Sequence, residues 1–175
     1  VMGNLLVNGT MNADPASTND VILAGNTAQT ISGTGTIGIP NLIVANNADV
    51  TMNSNLALSN SVTIYGKMNF TDKQITGAVS LNANGVNAAA AGAGNTVTGS
   101  YVITGHSGIS ASASGQQISD AGIPPNTSII SVSVADNAIY ISNPATATGT
   151  ATVLTVNTTA STLQTANSNG FNPAL

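Results

Sequence analysis

Very few residues in this chain could do chemistry. The one histidine, His106, stands in Thr104-Gly105-His106-Ser107-Gly108. All six acids are aspartates (Asp14, Asp20, Asp49, Asp72, Asp120 and Asp136), the bases are Lys67 and Lys73, and there is no cysteine. A nucleophilic hydrolase needs a hydroxyl or thiol beside a base that a third group orients. Ser107 adjoins His106, but adjacent residues do not make a nucleophile elbow, and no Gly-X-Ser-X-Gly occurs. A polysaccharide lyase or hydrolase wants close carboxylates, often with a base nearby. The aspartates are scattered and the two lysines are confined to 67–73. Asp20, Asp49 and Asp136 sit at expected corners, where carboxylates and carbonyls could hold calcium. No EF-hand loop or Gly-Gly-X-Gly-X-Asp array is present, and Asx turns account for these residues. The reading is non-enzymatic: no catalytic, cofactor-binding or metal-ligating residue is assigned, and no cofactor is expected.

Composition narrows the partners. Charged residues make up 5% of the 175, against about 25% in ordinary soluble domains. Two lysines cannot neutralise a run of phosphates, so no nucleic acid is expected. A net charge of −4 without a basic cluster argues against an anionic membrane surface. No apolar run approaches the roughly 18 residues of a membrane span, so no membrane insertion is expected. Hydrophobic residues still reach 42%, unlike a disordered chain. Asn, Thr and Ser together exceed a third of the sequence and must supply its solubility.

The elements that carry these residues read as β. Glu and Arg are absent and β-branched residues abound. A repeat of about nineteen residues runs through the first half. Leu5-Leu6-Val7-Asn8-Gly9-Thr10-Met11-Asn12 matches Val62-Thr63-Ile64-Tyr65-Gly66-Lys67-Met68-Asn69 at an offset of three such periods. One family of alternating apolar pairs is Leu5/Val7, Val21/Leu23, Leu42/Val44, Val62/Ile64 and Val79/Leu81. A second is Met11, Ile31, Val50/Met52 and Met68/Phe70; a third is Ile37/Ile39, Leu56/Leu58 and Ile75. Alternation means half-buried strands. Three strands per period predict a three-sided parallel β-solenoid, its right hand following general precedent. Val7, Leu23, Val44 and Ile64 should form one inward column. Corners should fall at Gly33-Thr34-Gly35, Asn46-Asn47-Ala48-Asp49 and Asn53-Ser54-Asn55, with asparagine ladders between coils. An antiparallel sandwich is the competing reading.

The texture then changes. Residues 82–99, rich in Ala and Gly, read as a loop or loose coil. Tyr101/Ile103, Ile129/Ser131, Ile139/Ile141 and Val153/Thr155 suggest short strands, with a rigid turn at Gly122-Ile123-Pro124-Pro125-Asn126-Thr127 and a tight one at Asp136-Asn137. The organisation expected is solenoid coils over 1–99, an inserted small β-sheet or barrel module over 100–156, and a return to a solenoid coil over 157–175. Leu163 should then stack on Val79 or Leu81. Val1 is not an initiator methionine, and the chain reads as an interior piece of a longer protein. The sequons at Asn8, Asn69, Asn126 and Asn157 are what chance gives in so Asn- and Thr-rich a chain. The Thr-rich run 146–152 lies within one strand and lacks the coil-after-coil array of an ice-binding face.

Gln29-Thr30-Ile31-Ser32-Gly33-Thr34-Gly35-Thr36, with Asn41-Leu42-Ile43-Val44 and Val50-Thr51-Met52 after it, resembles the repeats of very large secreted surface proteins of the Bacteroidetes type. So does Ser161-Thr162-Leu163-Gln164-Thr165-Ala166-Asn167 closing on Gly170. The resemblance implies an adhesin-like, extracellular, cell-surface role and export by the type 9 secretion system. Gly122–Thr127 with Ser142-Asn143-Pro144-Ala145-Thr146-Ala147-Thr148-Gly149-Thr150 resembles a β module found in adhesins and phage structural proteins. It departs from that module at 105–118, where Gly105-His106-Ser107-Gly108 replaces a Gly-Met-X-Val opening. The expected function is a stiff rod segment of a large filamentous or surface adhesin. Its partners would be further coils of the same polypeptide and neighbouring surface proteins or glycans. A glycan or surface-polymer binding module and a phage tail-fibre segment are the alternatives. Aromatic platforms would favour glycan binding, but Tyr65, Phe70, Tyr101, Tyr140 and Phe171 do not cluster in sequence.

Overall fold

Period-two apolar alternation and the scarcity of Glu, Lys and Arg are met by an all-β chain. The computed structural model describes residues 1–12, 20–77, 80–83, 90–157 and 162–164. In chain order the first ten strands are β1 (Leu5–Leu6), β2 (Thr10–Asn12), β3 (Asp20–Leu23), β4 (Gln29–Ser32), β5 (Thr36–Val44), β6 (Asp49–Met52), β7 (Leu56–Ile64), β8 (Lys67–Asn69), β9 (Ile75–Thr76) and β10 (Ser80–Ala83). They are shared between two sheets, with β2 and β3, and β9 and β10, following one another in the same sheet, and every pairing among them is parallel. The first sheet runs β1-β4-β6-β8. In the second, β5 and β7 lie side by side, with β2 and β3 on one flank and β9 and β10 on the other.

The sheets are not a regular three-sided helix, which corrects the sequence expectation. The first and third apolar families run together along one strand. Ile37/Ile39 and Leu42/Val44 both lie on β5, and Leu56/Leu58 and Val62/Ile64 both lie on β7. No corner separates them on β5, which runs unbroken through Pro40. There the register shifts from Ile39↔Leu58 to Asn41↔Ser61, so β7 carries one extra residue. Proline has no N–H to lose from the ladder, and the bulge absorbs the turn within the strand. Only in the flanking coils do the two segments separate, as β2 and β3 or as β9 and β10.

The inward columns follow from register. Val21, Leu42 and Val62 align, as do Leu23, Val44 and Ile64. Ile31 lies between Leu5 and Met52, and Val50 between Gln29 and Met68. The aliphatic members from Ile31 to Met68 are essentially sealed from solvent, while Leu5, Val7, Met11 and Val21 in the first coil are only partly covered. Two assignments change. Val7 follows β1 and its N–H donates to Ser32 O at 2.9 Å, so it belongs with β4 rather than with Leu23 and Val44. Met11 is opposite Ile37, not in line with Ile31. The sequence match between 5–12 and 62–69 therefore joins segments on different sheets.

Three anticipated corners are turns or bends, with Gly33 at φ 123° and Asn47 at φ 66°. The asparagine ladder takes another form than amide on amide. Asn4, Asn8 and Asn55 each accept, through Oδ1, a backbone N–H of the next coil, from Thr30, Thr34 and Gln74. One amide-to-amide bond joins the parallel strands: Asn60 Nδ2 donates to Asn41 Oδ1 at 2.8 Å. Side-chain oxygens thus satisfy corner N–H groups where the ladder is interrupted.

The other strands are β11 (Ala90–Thr96), β12 (Val102–Ser107), β13 (Gln117–Ser119), β14 (Ile129–Ser133), β15 (Ala138–Ile141) and β16 (Gly149–Asn157). They form one antiparallel sheet, ordered β13-β16-β11-β12-β15-β14. A bridge between Gln117 and Ser128 brings its two edges together, so the sheet curls around Ile103, Ile118, Ile129, Ile139, Ile141, Leu154 and Val156. The Asp136-Asn137 turn links β14 to β15, with Asn137 at φ 50°. Thr127 Oγ1 donates to Pro124 O at 2.7 Å within the proline turn.

The Ala/Gly stretch expected as loop contributes β11, a central strand. Its small residues answer to packing: a Cβ on Gly94 would lie 2.6 Å from Ile103 Cγ2 and 2.9 Å from Leu154 Cδ1. The strand expected at Val153/Thr155 is β16. Leu154 and Val156 are buried, and Val153 is 69% exposed. A last strand, β17 (Thr162–Gln164), pairs in parallel with β8, placing Leu163 opposite Met68. Leu81 is opposite Val62 in the other sheet, so the expected stacking of Leu163 on Leu81 is not found; Val79 and residues 165–170 lie outside the described residues.

Candidate functional site

The two kinds of sheet meet at a polar joint built on Asn46. This residue lies just after β5 and is 1% exposed. Its N–H donates to Gly115 O at 2.7 Å, and its Nδ2 to Gln117 Oε1 at 3.3 Å. Its carbonyl accepts the Ser128 hydroxyl at 2.8 Å. Ser128 is itself buried, and its N–H donates to Ser142 Oγ at 2.9 Å. Beside this cluster Gly115, at φ 86°, leaves no room for a side chain. A Cβ there would come within 2.6 Å of Ile43 Cγ2 and 2.9 Å of the Tyr65 ring. At the rim Asn26 Nδ2 donates to Asn143 Oδ1 at 2.8 Å. Buried polar groups that are all paired fix one orientation, because misalignment would strand them without partners. Chemically the joint can clamp; it holds no titratable group.

A cavity of about 330 Å³ opens nearby, lined by Val1, Asp20 and Ile22 on one side and Ser114, Ile130 and Ser131 on the other. Partial desolvation raises the Asp20 carboxyl above its ordinary value, and a hydrogen bond from Asn41 opposes the rise. Asp20 is the single ionisable side chain on this lining.

The residues singled out from sequence stay apart. His106 is on β12, and neither ring nitrogen has a hydrogen-bond partner. Asp136 bonds the Ser133 hydroxyl at 2.7 Å, closing its own turn. Asp49 pairs with Lys67 across β6 and β8 at 3.1 Å, and Asp72 pairs with Lys73. The Lys73 hydrogen bond leads the causes that hold the Asp72 carboxyl below its ordinary value. Asp120 accepts the N–H of Ala121. Among the described residues no three acidic, histidine or cysteine side chains converge as a metal site would require, and no helix is long and apolar enough to cross a membrane.

Sequence reasoning missed the joint. Asn46 was placed only at a corner, and nothing near Gly115 or Ser128 in sequence points to it.

No protein-family model matches the chain, and no curated protein or solved structure matches it either.

Proposed function

We propose that this chain is a non-enzymatic rod segment of a large secreted, cell-surface or filamentous adhesin, its parallel strands being successive turns of a β-solenoid. The observation that carries the reading is the in-register parallel stacking of β3, β5, β7 and β10 with aliphatic residues aligned from strand to strand. Hydrogen bonds and corner side chains connect residues 18 to 21 apart through the middle coils, and 26 apart in the first. Each coil contacts its neighbours, so stiffness and stability grow by repetition. The antiparallel unit, clamped at Asn46, would project from the rod in one orientation. Further coils of the same kind fit the outer edges of β1 and β2, which end their sheets and where Leu6 is 64% exposed.

Single-molecule stretching between the two ends of the chain tests the rod. Its extension should stay constant with load until discrete ruptures. Smooth lengthening from the lowest loads, as for a flexible chain, would refute it.

A further inference from the structure

Val1 stands in the ladder of the second sheet, on the outer side of β3. Its nitrogen donates to Ile22 O at 2.6 Å, and its carbonyl accepts the Ala24 N–H at 2.9 Å. That pair of bonds is the parallel pattern opposite Leu23. Val1 is therefore in line with Leu23, Val44 and Ile64. Ahead of it the edge of β3 is bare. Ile22 O faces outward to Val1, and alternation turns Ile22 N–H and Asp20 C=O to the same side. Among the described residues neither group has a backbone partner there. Val21 is accordingly only partly covered, whereas Leu42 and Val62, aligned with it, are sealed. This bare edge has a side wall. Ile22 is aligned with Ile43, which lies against Gly115 of the antiparallel unit. The cavity of about 330 Å³ continues that row, with Val1, Asp20 and Ile22 across from Ser114, Ile130 and Ser131. Ile130 is half-buried and takes no part in the antiparallel core.

We propose that this groove seats an extended strand of a further coil, parallel to β3 and running into Val1, with one aliphatic side chain over Val21 and a second against Ile130. The occupant rests on the rod reading; the groove and its register do not. Continuity of the ladder fixes three positions. The residue joined to Val1 lies beside Ile22, and its side chain shares the Ile22 face, toward Ile130 and Ser131. The residue before it lies over Val21 and closes the inward column. The third lies over Asp20, in a row already bonded side chain to side chain. Ser61 Oγ donates to Asn41 Oδ1 at 2.8 Å, and Asn41 bonds the Asp20 carboxyl. A hydrogen-bond donor suits that third position. Asn41-Leu42-Ile43 ahead of Val44 already has this order on β5. Backbone bonds to Ile22 and Asp20 would hold the strand, and the two side-chain positions would select it, as in strand addition to a sheet edge. The antiparallel unit thus reads the outward residue of the adjoining coil through Ile130.

The test uses the full chain with Asn-Leu-Ile joined ahead of Val1. Gly-Ser-Gly at the same place controls for length, and Asn-Leu-Asp and Asn-Asp-Ile each change one seat position. Amide exchange at Ile22 and nuclear Overhauser contacts from labelled methyl groups are measured, and circular dichroism checks each fold. Asn-Leu-Ile should slow exchange at Ile22 about tenfold or more relative to Gly-Ser-Gly, the scale of one net backbone hydrogen bond. The added isoleucine should contact Ile130, and the added leucine Val21. Both acidic versions should lose most of the protection, and Ile130→Ala should weaken the protection that Asn-Leu-Ile gives. If Ile130→Ala does not fold, Asn-Leu-Asp decides the wall, because it leaves the chain itself unaltered. Equal exchange at Ile22 with Asn-Leu-Ile and Gly-Ser-Gly would overturn the proposal, as would full protection with Asn-Leu-Asp. Discrete rupture under load with Ile22 unprotected would sink the seat and leave the rod. Smooth lengthening with Ile22 protected would sink the rod and leave the groove as a strand site.

Discussion

Replacing Gly115 by alanine probes the joint between the parallel and antiparallel strands. Two costs add. At φ 86° an L side chain is in left-handed backbone, worth about 1–2 kcal/mol. The new methyl would also lie 2.6 Å from Ile43 Cγ2 and 2.9–3.0 Å from the Tyr65 ring. Overpacking of this kind costs roughly 1–3 kcal/mol. Gly99 separates the two terms, because its φ is 81° and nothing lies within 4 Å of its Cβ position. Urea denaturation should therefore show Gly99→Ala losing about 1–2 kcal/mol and Gly115→Ala about 2–5 kcal/mol. Adding Ile43→Ala to Gly115→Ala removes the closest clashing atom and should recover part of the difference, as a coupling energy between contacting sites. Equal losses for the two glycines, or no recovery with Ile43→Ala, would refute the packing at the joint.

Leu42, sealed between Val21 and Val62, should cost about 2–5 kcal/mol as Leu42→Ala, measured by urea denaturation. Val153→Ala, on the outer face of β16, should stay within about 0.5 kcal/mol in the same assay. Asp20 predicts a pH dependence. Its folded carboxyl is raised above the unfolded value of 3.8, so the folded state binds the proton more tightly. Its cost is absent below that value, grows as pH rises through the folded value, and is complete above it. Asp20→Asn should thus raise the melting midpoint at neutral pH relative to the parent, and the gain should shrink toward pH 3.8 and below. A gain that is the same across this range would rule out carboxylate desolvation.

The β class was legible in the sequence because alternation and composition act locally. Ile31, Val50, Met52 and Met68 were grouped correctly, as were Ile37, Ile39, Leu56, Leu58 and Ile75. Leu5 and Val7 were assigned to the wrong sheet because strands on either sheet show the same period-two pattern. The first coil is also longer, 26 residues against about 20, which shifts the phase of the repeat. β11 was missed because its alanines and glycines carry no strand signal, and their smallness answers to Ile103 and Leu154, distant in sequence. The joint at Asn46 depends on long-range pairing, which no local pattern encodes.

The central claim is that coils of this kind stack by register. It is tested by placing a copy of residues 31–51 directly ahead of Leu5, in place of residues 1–4, and following amide hydrogen exchange. The register Leu5↔Ile31↔Met52 makes that copy one additional coil in phase. Exchange at β1 and β2 should slow as their outer edge gains a partner, and the copied segment should itself be protected. Free exchange throughout the copy, with β1 and β2 unchanged, would contradict the account.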